Sequence, residues 1–446
     1  MPARSRTRLL AVAVTTATAA ACLGAQALPA AASTETERSA ARDITVPAFY
    51  TPPATLPEAN GALVRSEPLP LAISLPTLGG PFPGKATRLM YKTTDANGAP
   101  AAVTGAYLEP TAAWRGTGPR PLVVVAPGTL GQGDQCAASL GLQHPVSLNG
   151  DTLSVGYEDI AIYRLLARGV AVAVTDYIGL GATDRLHTYV NRVDEGHAVL
   201  DAVRAARSLP GASVTASSPV GLFGYSQGGG ATASAAELQP AYAPDVTLSG
   251  TYVGAPPAEL TEVTAGIDGT ELTGALGWSL NGFLQSEPAL RPIADRHINE
   301  AGRAALDDLA HRCVGDALFA YAYQRSSKWT KDGRTLSEII EAEPALQEFL
   351  AEQRIGNLKP AGPVRVATGV NDNLVPHAQS RRLAVDWCRR GGNVTYKPVI
   401  LPHVVSPLLN HFGPLLTDQG DAADWLLDRL SGKSASGNCW TMPVQP

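Results

Sequence analysis

The sequence predicts an α/β fold whose mostly parallel central sheet is interrupted by an inserted helical segment. Short apolar runs typical of buried strands alternate with helical patterns through residues 121–254. The alternation stops over residues 255–358, where the patterns are helical, and it resumes from residue 359. A chain of 446 residues, 45% of them hydrophobic, is long enough for one large core with such an insertion.

Residues 1–32 have the pattern of a secretory signal peptide. Three arginines and no acidic residue precede an apolar run that starts at Leu9, and three alanines close the segment. Cleavage is expected near Ala32, and the protein is expected to be secreted. Residues 33–95, which are rich in proline, serine and threonine, are predicted to form an extended arm at the start of the first core segment, 33–254.

The rest of that segment contains four predicted strands and three predicted helices. The strands are expected at residues 121–126, 169–175, 220–223 and 246–253, and the helices at 158–167, 194–209 and 228–238. Runs that are apolar throughout indicate strands buried on both faces, as in a parallel sheet covered by helices.

The insertion, residues 255–358, is predicted to be a helical cap. Its helices are expected at residues 292–298, 301–312 and 336–353, and Pro292 suits the start of its helix because its missing N–H costs nothing there. The second core segment, 359–446, has strands predicted at 364–368 and 394–401, helices at 377–389 and from about 418 to 430, and a C-terminal tail.

Charge and hydropathy exclude several partners. The net charge of -5 leaves no basic excess to neutralise a phosphate backbone, so nucleic acid is excluded. The chain has no internal apolar run of about 18 residues, which excludes an internal membrane span. Nothing in the sequence suggests a metal or another cofactor, and no obligate protein partner is predicted.

The pentapeptide Gly224-Tyr-Ser-Gln-Gly228 has the pattern of a nucleophile at a sharp turn between a strand and a helix. The apolar run 220–223 leads into it, and a helix rich in small residues leaves it. Such a turn exposes the Ser226 hydroxyl, and glycines flank it because side chains there would clash with a neighbouring strand or helix. Ser226 is therefore the predicted nucleophile.

A serine hydroxyl needs a base, and the base needs an acid to orient it. Asp372 follows the predicted strand 364–368, at the carboxyl end where sites form in α/β sheets, and is the predicted acid. His403 and His411 both lie between the last predicted strand and the last predicted helix, where the base is expected. The residues themselves leave both histidines open.

Acyl transfer passes through an oxyanion that needs two N–H donors. The backbone N–H of Gln227, directly after the nucleophile, is predicted to be one of them. The other is expected from Thr129 or Leu130, in the glycine-rich loop after the strand 121–126, and the pattern does not distinguish the two.

Several of these segments resemble the secretory lipases of the fungal lipase A type and their actinobacterial relatives. The resemblance rests on residues 126–137, 174–181, 199–205, 224–228 and 371–376, and it covers most of residues 45–440 in the same order. It implies an α/β-hydrolase fold with a helical cap between core strands. It also implies hydrolysis of acylglycerols and other carboxylic esters by a Ser-Asp-His triad without a cofactor.

The resemblance assigns the base to the histidine before the final helix. Asn410-His411 fits the family pattern without a gap, whereas His403 would need additional residues after it. This chain departs from the pattern by a longer stretch at residues 404–409. The triad implied by the resemblance is therefore Ser226, Asp372 and His411.

Four cysteines follow the signal peptide, and an even number in an exported chain predicts two disulfides in one of three pairings. The resemblance implies Cys136–Cys313, which would tie the core to the cap. It also implies Cys388–Cys439, which would tie the last helices to the tail.

A lipase must seat a long acyl chain, so an apolar tunnel or cleft is required. Cap residues 272–280, with Phe283 and Leu284, are apolar enough to line it, although the same residues would also serve to pack the cap core. We expect residues 269–282 to move to admit lipid. The predicted contacts are with a lipid or ester substrate and, transiently, with a lipid interface. The alternatives are a short-chain carboxylesterase, an acyltransferase, a peptidase or a non-catalytic surface protein.

Overall fold

The structure, a computed structural model, describes residues 46–71, 83–143, 146–149 and 152–446. The predicted signal peptide, residues 1–32, lies outside the described residues. The strands are β1 (Leu63–Leu69), β2 (Gly84–Thr94), β3 (Pro100–Pro110), β4 (Leu122–Ala126), β5 (Val146–Asn149), β6 (Thr152–Val155), β7 (Ala171–Ile178), β8 (Val220–Tyr225), β9 (Leu248–Gly254), β10 (Pro363–Gly369) and β11 (Asn393–Val399).

Nine of these strands form one sheet in the order β1-β2-β3-β7-β4-β8-β9-β10-β11, and β5 and β6 pair separately. The strands from β7 to β11 in this order run parallel, whereas β1, β2 and β3 are antiparallel to their neighbours. The predicted α/β fold with a mostly parallel sheet is confirmed. Because β4, β8 and β10 share one direction, the loops that follow them meet at the same edge of the sheet.

The prediction of an extended arm over residues 33–95 is wrong at two segments, and its residues 33–45 and 72–82 lie outside the described residues. Residues 63–69 and 84–94 form β1 and β2, and β2 pairs with β3 along its whole length. Leu89, Met90 and Tyr91 of β2 are buried, so this segment adds to the core instead of lying on its surface.

Helices cover both faces of the sheet and form the cap. They are α1 (Ala138–Gly141), α2 (Asp159–Ala167), α3 (Arg192–Ser208), α4 (Gln227–Tyr242), α5 (Leu260–Ile267), α6 (Gly274–Ser286), α7 (Arg291–His297), α8 (Glu300–Leu309), α9 (Val314–Tyr321), α10 (Leu336–Ala342), α11 (Pro344–Gln353), α12 (His377–Arg389) and α13 (Pro407–Leu430). Helices α3, α4 and α12 pack on one apolar face of the sheet, and α2 and α13 on the other.

The segment predicted as a cap is helical throughout its regular structure. It contains α5 to α11 and has an apolar cluster of its own, built around Trp278, Leu309 and Trp329. The single helix predicted over 336–353 is wrong in one respect, because Pro344 begins a second helix there and α10 ends at Ala342.

The last helix begins eleven residues earlier than predicted, at Pro407 instead of about residue 418. The Ser406 side chain caps it by accepting a hydrogen bond from the Leu409 N–H, and Pro407 occupies its first turn. Pro414 is accommodated inside the helix. His411 consequently lies within the helix, not in a loop before it.

Both disulfides implied by the resemblance are present. Cys136–Cys313 joins the loop after β4 to the start of α9 in the cap, and Cys388–Cys439 joins α12 to the C-terminal tail. No helix in the described part of the chain is long and apolar enough to cross a membrane.

Candidate active site

Ser226 stands at the sharp turn between β8 and α4. Its backbone has φ 58° and ψ -124°, a left-handed conformation that costs free energy in a non-glycine residue. A Cβ at Gly224 would lie 2.1 Å from the Gly228 carbonyl oxygen, and a Cβ at Gly228 would lie 2.0 Å from the Ala126 carbonyl oxygen. Both flanking glycines are therefore required by close packing, as the sequence predicts.

The three predicted side chains form one hydrogen-bonded relay. Ser226 Oγ lies 2.9 Å from Nε2 of His411, and Nδ1 of His411 lies 2.7 Å from Oδ2 of Asp372. The other carboxylate oxygen of Asp372, Oδ1, accepts hydrogen bonds from the backbone N–H groups of Leu374 and Val375, at 3.1 and 3.0 Å. With the carboxylate as acceptor at Nδ1, the imidazole presents Nε2 as an acceptor for the serine proton.

His411, and not His403, reaches Ser226. His411 is buried, in the second turn of α13, and its backbone carbonyl accepts a 2.7 Å hydrogen bond from the Tyr225 hydroxyl. His403 is exposed in the loop after β11, and its side chain makes no hydrogen bond to any described residue. The earlier start of α13 accounts for the difference, since it carries His411 back towards the carboxyl edge of the sheet.

The two predicted oxyanion donors face the same pocket. Gln227 is the first residue of α4, so its N–H has no helical acceptor, and both Gln227 and Thr129 line the pocket that contains Ser226. Leu130 instead packs in an apolar cluster with Cys136 and Ala137. Its carbonyl accepts a 2.7 Å hydrogen bond from the Val314 N–H. Of the two residues that the sequence left open, Thr129 lines this pocket and Leu130 does not, and its role as an oxyanion donor stays a prediction.

Hydrogen bonds hold the loop that carries Thr129 from three sides. The Tyr177 hydroxyl donates to the Pro127 carbonyl at 2.6 Å, and the Tyr157 hydroxyl donates to the Thr129 carbonyl at 3.1 Å. Between them, the Gly128 N–H donates to Oε1 of Glu158 at 2.5 Å. Burial raises the pKa of Glu158 to about 8.

A second buried network holds the side chain of Gln227. Its Nε2 donates to Oε1 of Glu195 at 2.8 Å and lies 3.1 Å from Nε2 of His187. The Nδ1 of His187 donates to the Ile178 carbonyl at 2.9 Å, and burial lowers the pKa of this histidine to about 4, so its ring is neutral and accepts from Gln227. Burial also raises the pKa of Glu195 to about 8. This network orients the residue whose backbone is a predicted oxyanion donor.

One mostly apolar space lies between the sheet and the cap, and a second lies within the cap. The first contains Ser226, and the second is surrounded by the cap helices. They share four lining residues, namely Thr264, Leu276, Ser279 and Phe283. The two spaces therefore adjoin, and a chain leaving Ser226 would cross this junction to enter the cap.

The predicted acyl-binding residues divide between lining and packing. Leu276, Leu280, Phe283 and Leu284 line one or both spaces, whereas Trp278 is buried in the cap core and donates its indole N–H to the Leu309 carbonyl at 2.9 Å. Movement of residues 269–282 remains a prediction.

Four supporting residues escaped the sequence analysis. Tyr157, Glu158, His187 and Glu195 contact the site only through the fold, from positions 30 to 70 residues away from Ser226 in the chain. Glu195 lies beside Asp194 in the first turn of α3, where acidic residues are common, so nothing in the sequence singles it out.

Comparisons with known proteins find similar sequences and a similar fold. A profile of the family described as secretory lipases matches residues 142–438. The chain is 29% identical over 387 residues to a probable inactive lipase of Mycobacterium tuberculosis, covering 86% of this chain and 82% of that relative. It is 28% identical over 313 residues to a secreted triacylglycerol lipase of Malassezia globosa, covering 68% of this chain and 63% of that relative. The fold is similar to that of Candida antarctica lipase A in its closed state, with a TM-score of 0.73, 19% identity and 88% of both chains covered.

Proposed function

The chain belongs to the secretory lipase family and is a carboxylic ester hydrolase, and we propose that Ser226, His411 and Asp372 carry out its reaction on long-chain esters such as triacylglycerols. The observation that carries this proposal is the continuous relay from Ser226 Oγ through His411 to Asp372 on the wall of an apolar pocket. Nucleophile, base and acid follow one another along the relay in hydrogen-bonding distance, which is the arrangement that acyl transfer needs.

In the first step, Ser226 Oγ attacks the ester carbonyl carbon while His411 Nε2 takes the serine proton. Asp372 stabilises the resulting imidazolium through Nδ1, and its second oxygen stays bound by two backbone N–H groups. The oxyanion accepts hydrogen bonds from the backbone N–H groups of Gln227 and Thr129. Collapse of this intermediate breaks the ester C–O bond, and His411 returns the proton to the departing alcohol.

In the second step, water hydrolyses the acyl-enzyme. His411 removes a proton from the water as its oxygen attacks the acyl carbon, and Ser226 leaves with the proton that His411 returns. The products are a free carboxylic acid and regenerated enzyme. No cofactor takes part in this sequence of steps.

The pocket supports an apolar acyl group as substrate. Leu260, Val263, Leu272 and Leu374 are among the side chains around Ser226, and the adjoining cap space is lined by leucine, isoleucine and phenylalanine. Such a lining suits an acyl chain, and among residues that can carry a charge only His297, in the cap space, contributes to it. It favours a long-chain ester over a peptide amide or an acetyl ester.

The relative named as a probable inactive lipase makes a non-catalytic role the second candidate. In this chain all three members of the relay are present and in hydrogen-bonding distance, which supports activity. We further propose that the protein is secreted. Two disulfides support an oxidising compartment, and the family is described as secretory.

Labelling with a fluorophosphonate probe tests the reaction directly. We expect the probe to label the wild-type protein and to leave Ser226→Ala unlabelled, while Ser218→Ala, a second buried serine remote from the relay, stays labelled. A series of p-nitrophenyl esters from acetate to palmitate, with a peptide p-nitroanilide alongside, should give its highest kcat/KM at a long chain. An unlabelled wild-type protein would favour the non-catalytic role, and a preference for the anilide would favour a peptidase.

A further inference from the structure

A stretch around the catalytic histidine carries no charged side chain. Residues 398–417 contain no Asp, Glu, Lys or Arg, whereas at the chain's average of 17% charged residues a stretch of this length would contain about three. The stretch runs from the end of β11 through the connecting loop into the first three turns of α13. It therefore starts at the carboxyl edge of the sheet, where Ser226 also lies.

Five large apolar side chains of this stretch face solvent, and four of them are more than half exposed. Ile400, Val405, Leu409 and Leu416 are 74%, 96%, 61% and 64% exposed, and we call these four residues the apolar rim. Leu409 and Leu416 lie two turns apart on α13 and thus on one face of the helix. Single exposed apolar residues are ordinary, but such a group in an uncharged stretch is typical of an interaction surface.

Hydrogen bonds fix the loop of the apolar rim to the neighbours of the catalytic residues. Asn371, directly before the catalytic acid, donates its side-chain amide to the Leu401 carbonyl at 2.8 Å. Asn410, directly before the catalytic histidine, exchanges two hydrogen bonds of 2.9 Å with the backbone of Val404. The loop is thus built onto the site and holds its apolar side chains outward.

The cap holds the same loop from the other side. Ser406 Oγ donates to Oε1 of Glu271 at 2.6 Å, and the inward-facing Leu408 packs against the cap cluster that includes Leu374 and Val375. Leu374 and Val375 also line the Ser226 pocket. The loop therefore separates solvent from a wall of that pocket.

We propose that the apolar rim docks the enzyme on an uncharged lipid surface, such as triacylglycerol covered by phosphatidylcholine, and so holds the Ser226 pocket beside its substrate. The inference rests on the proposed lipase function and names the surface by which the lipid is met. Docking is favourable because it removes apolar area from water. Anionic headgroups are a poor match, since the stretch contains no lysine or arginine and the chain has a net charge of -5.

Flotation with lipid droplets tests this surface without relying on catalysis. In a Ser226→Ala background, we compare the parent protein with a Val405→Ser/Leu409→Ser variant for binding to triolein droplets coated with phosphatidylcholine. We expect binding to weaken about tenfold or more, since the two substitutions remove apolar area comparable to one buried side chain. An Ile400→Ser/Leu416→Ser variant should show the same loss and guards against a folding defect in the first variant.

The matched control is a Leu358→Ser/Trp440→Ser variant. Both side chains are exposed. Leu358 lies shortly before β10 begins at Pro363. Trp440 follows Asn438, whose backbone N–H donates a hydrogen bond to the carbonyl of Val394 at the start of β11. They therefore lie towards the opposite edge of the sheet. Their substitution should leave droplet binding unchanged.

The outcomes separate the surface from the reaction. Equal droplet binding by the parent, the rim variants and the control would overturn the proposal. If the parent is a dimer, and the rim variants are monomers that bind droplets as well as the parent does, the apolar rim is an interface with a second copy of the chain. In the Ser226 background, the rim variants should hydrolyse dissolved p-nitrophenyl butyrate at the wild-type rate. If the wild type hydrolyses no ester at all, the proposed function fails, and the droplet comparison still decides the role of the rim.

Discussion

The hydroxyl of Tyr225 donates a 2.7 Å hydrogen bond to the backbone carbonyl of His411, which joins the residue before the proposed nucleophile to the proposed base. Tyr225 belongs to β8 and His411 to α13, and 186 positions separate them. The bond ties the backbone of His411 to β8 and so helps to hold the imidazole at its distance from Ser226. Its role is positional, since it touches no reacting atom.

Replacing Tyr225 by Phe should lower kcat by about tenfold, because the histidine loses one of its restraints and a small misplacement is costly in catalysis. The free energy of unfolding should fall by only about 1 kcal/mol, the net value of one hydrogen bond. Kinetics on a dissolved ester and urea unfolding measure the two effects. Tyr252→Phe on the neighbouring strand, whose hydroxyl lies 3.4 Å from Asp418, is the control and should keep its kcat. Equal kcat values for both variants would contradict the positioning role.

Glu158 should affect the rate through the loop that carries Thr129. Glu158→Leu removes the acceptor of the Gly128 N–H and should reduce kcat by about tenfold to a hundredfold with little change in KM, because the oxyanion is bound only in the transition state. Glu158→Gln retains a carbonyl acceptor and should recover most of the rate. Steady-state kinetics on p-nitrophenyl butyrate give both constants. A rise in KM with unchanged kcat in Glu158→Leu would assign the residue to substrate binding instead.

Residues defined by a local pattern could be predicted from the sequence. Ser226 stands between an apolar run and a helix of small residues, and Asp372 follows directly on a strand, so a few neighbours identify each of them. The choice between His403 and His411 is not local, because it depends on where α13 begins. Ser406 and Pro407 set that start, and a helix signal beginning there was obscured by Gly413 and Pro414.

Supporting residues were out of reach for a related reason. Glu158 and Glu195 act on Gly128 and Gln227 across 30 and 32 positions, through contacts that exist only once the sheet is assembled. The antiparallel strands β1 and β2 were missed as well. Their proline-rich and polar surroundings are typical of an arm, and the strands form because β2 pairs with β3 and β1 pairs with β2.

The stability of the protein should depend on pH through Glu195. Burial raises the pKa of this carboxyl from 4.5 to about 8, so between these values the folded protein holds a proton that the unfolded chain has released. The free energy of unfolding should therefore decrease as pH rises from about 4.5 to about 8, by at most about 1.4 kcal/mol per pH unit from one group. Glu195→Gln, which cannot ionise, should flatten this slope.

Thermal unfolding at several pH values between 5 and 8 measures the slope. The pKa of Glu158 is raised to about 8 in the same way, so part of the slope should persist in Glu195→Gln and decrease further in the double variant with Glu158→Gln. The exposed Glu341→Gln serves as the control and should follow the wild type. A slope that is identical in wild type and Glu195→Gln would show that this carboxyl is ionised, and paired, in the folded protein.

Chain-length preference should depend on Ser279, which lies where the Ser226 pocket meets the cap space. Its hydroxyl donates to the Ala275 carbonyl within its own helix, so Ser279→Leu leaves no other side chain without its partner. The larger side chain should narrow the junction and lower kcat/KM for p-nitrophenyl laurate and palmitate by about tenfold or more, while the value for butyrate stays unchanged. Thr264→Ser, which removes a methyl group from the same junction, is the counterpart and should keep or raise the rate on the long esters. An unchanged order of preference in both variants would mean that the acyl chain leaves Ser226 by another route and does not enter the cap.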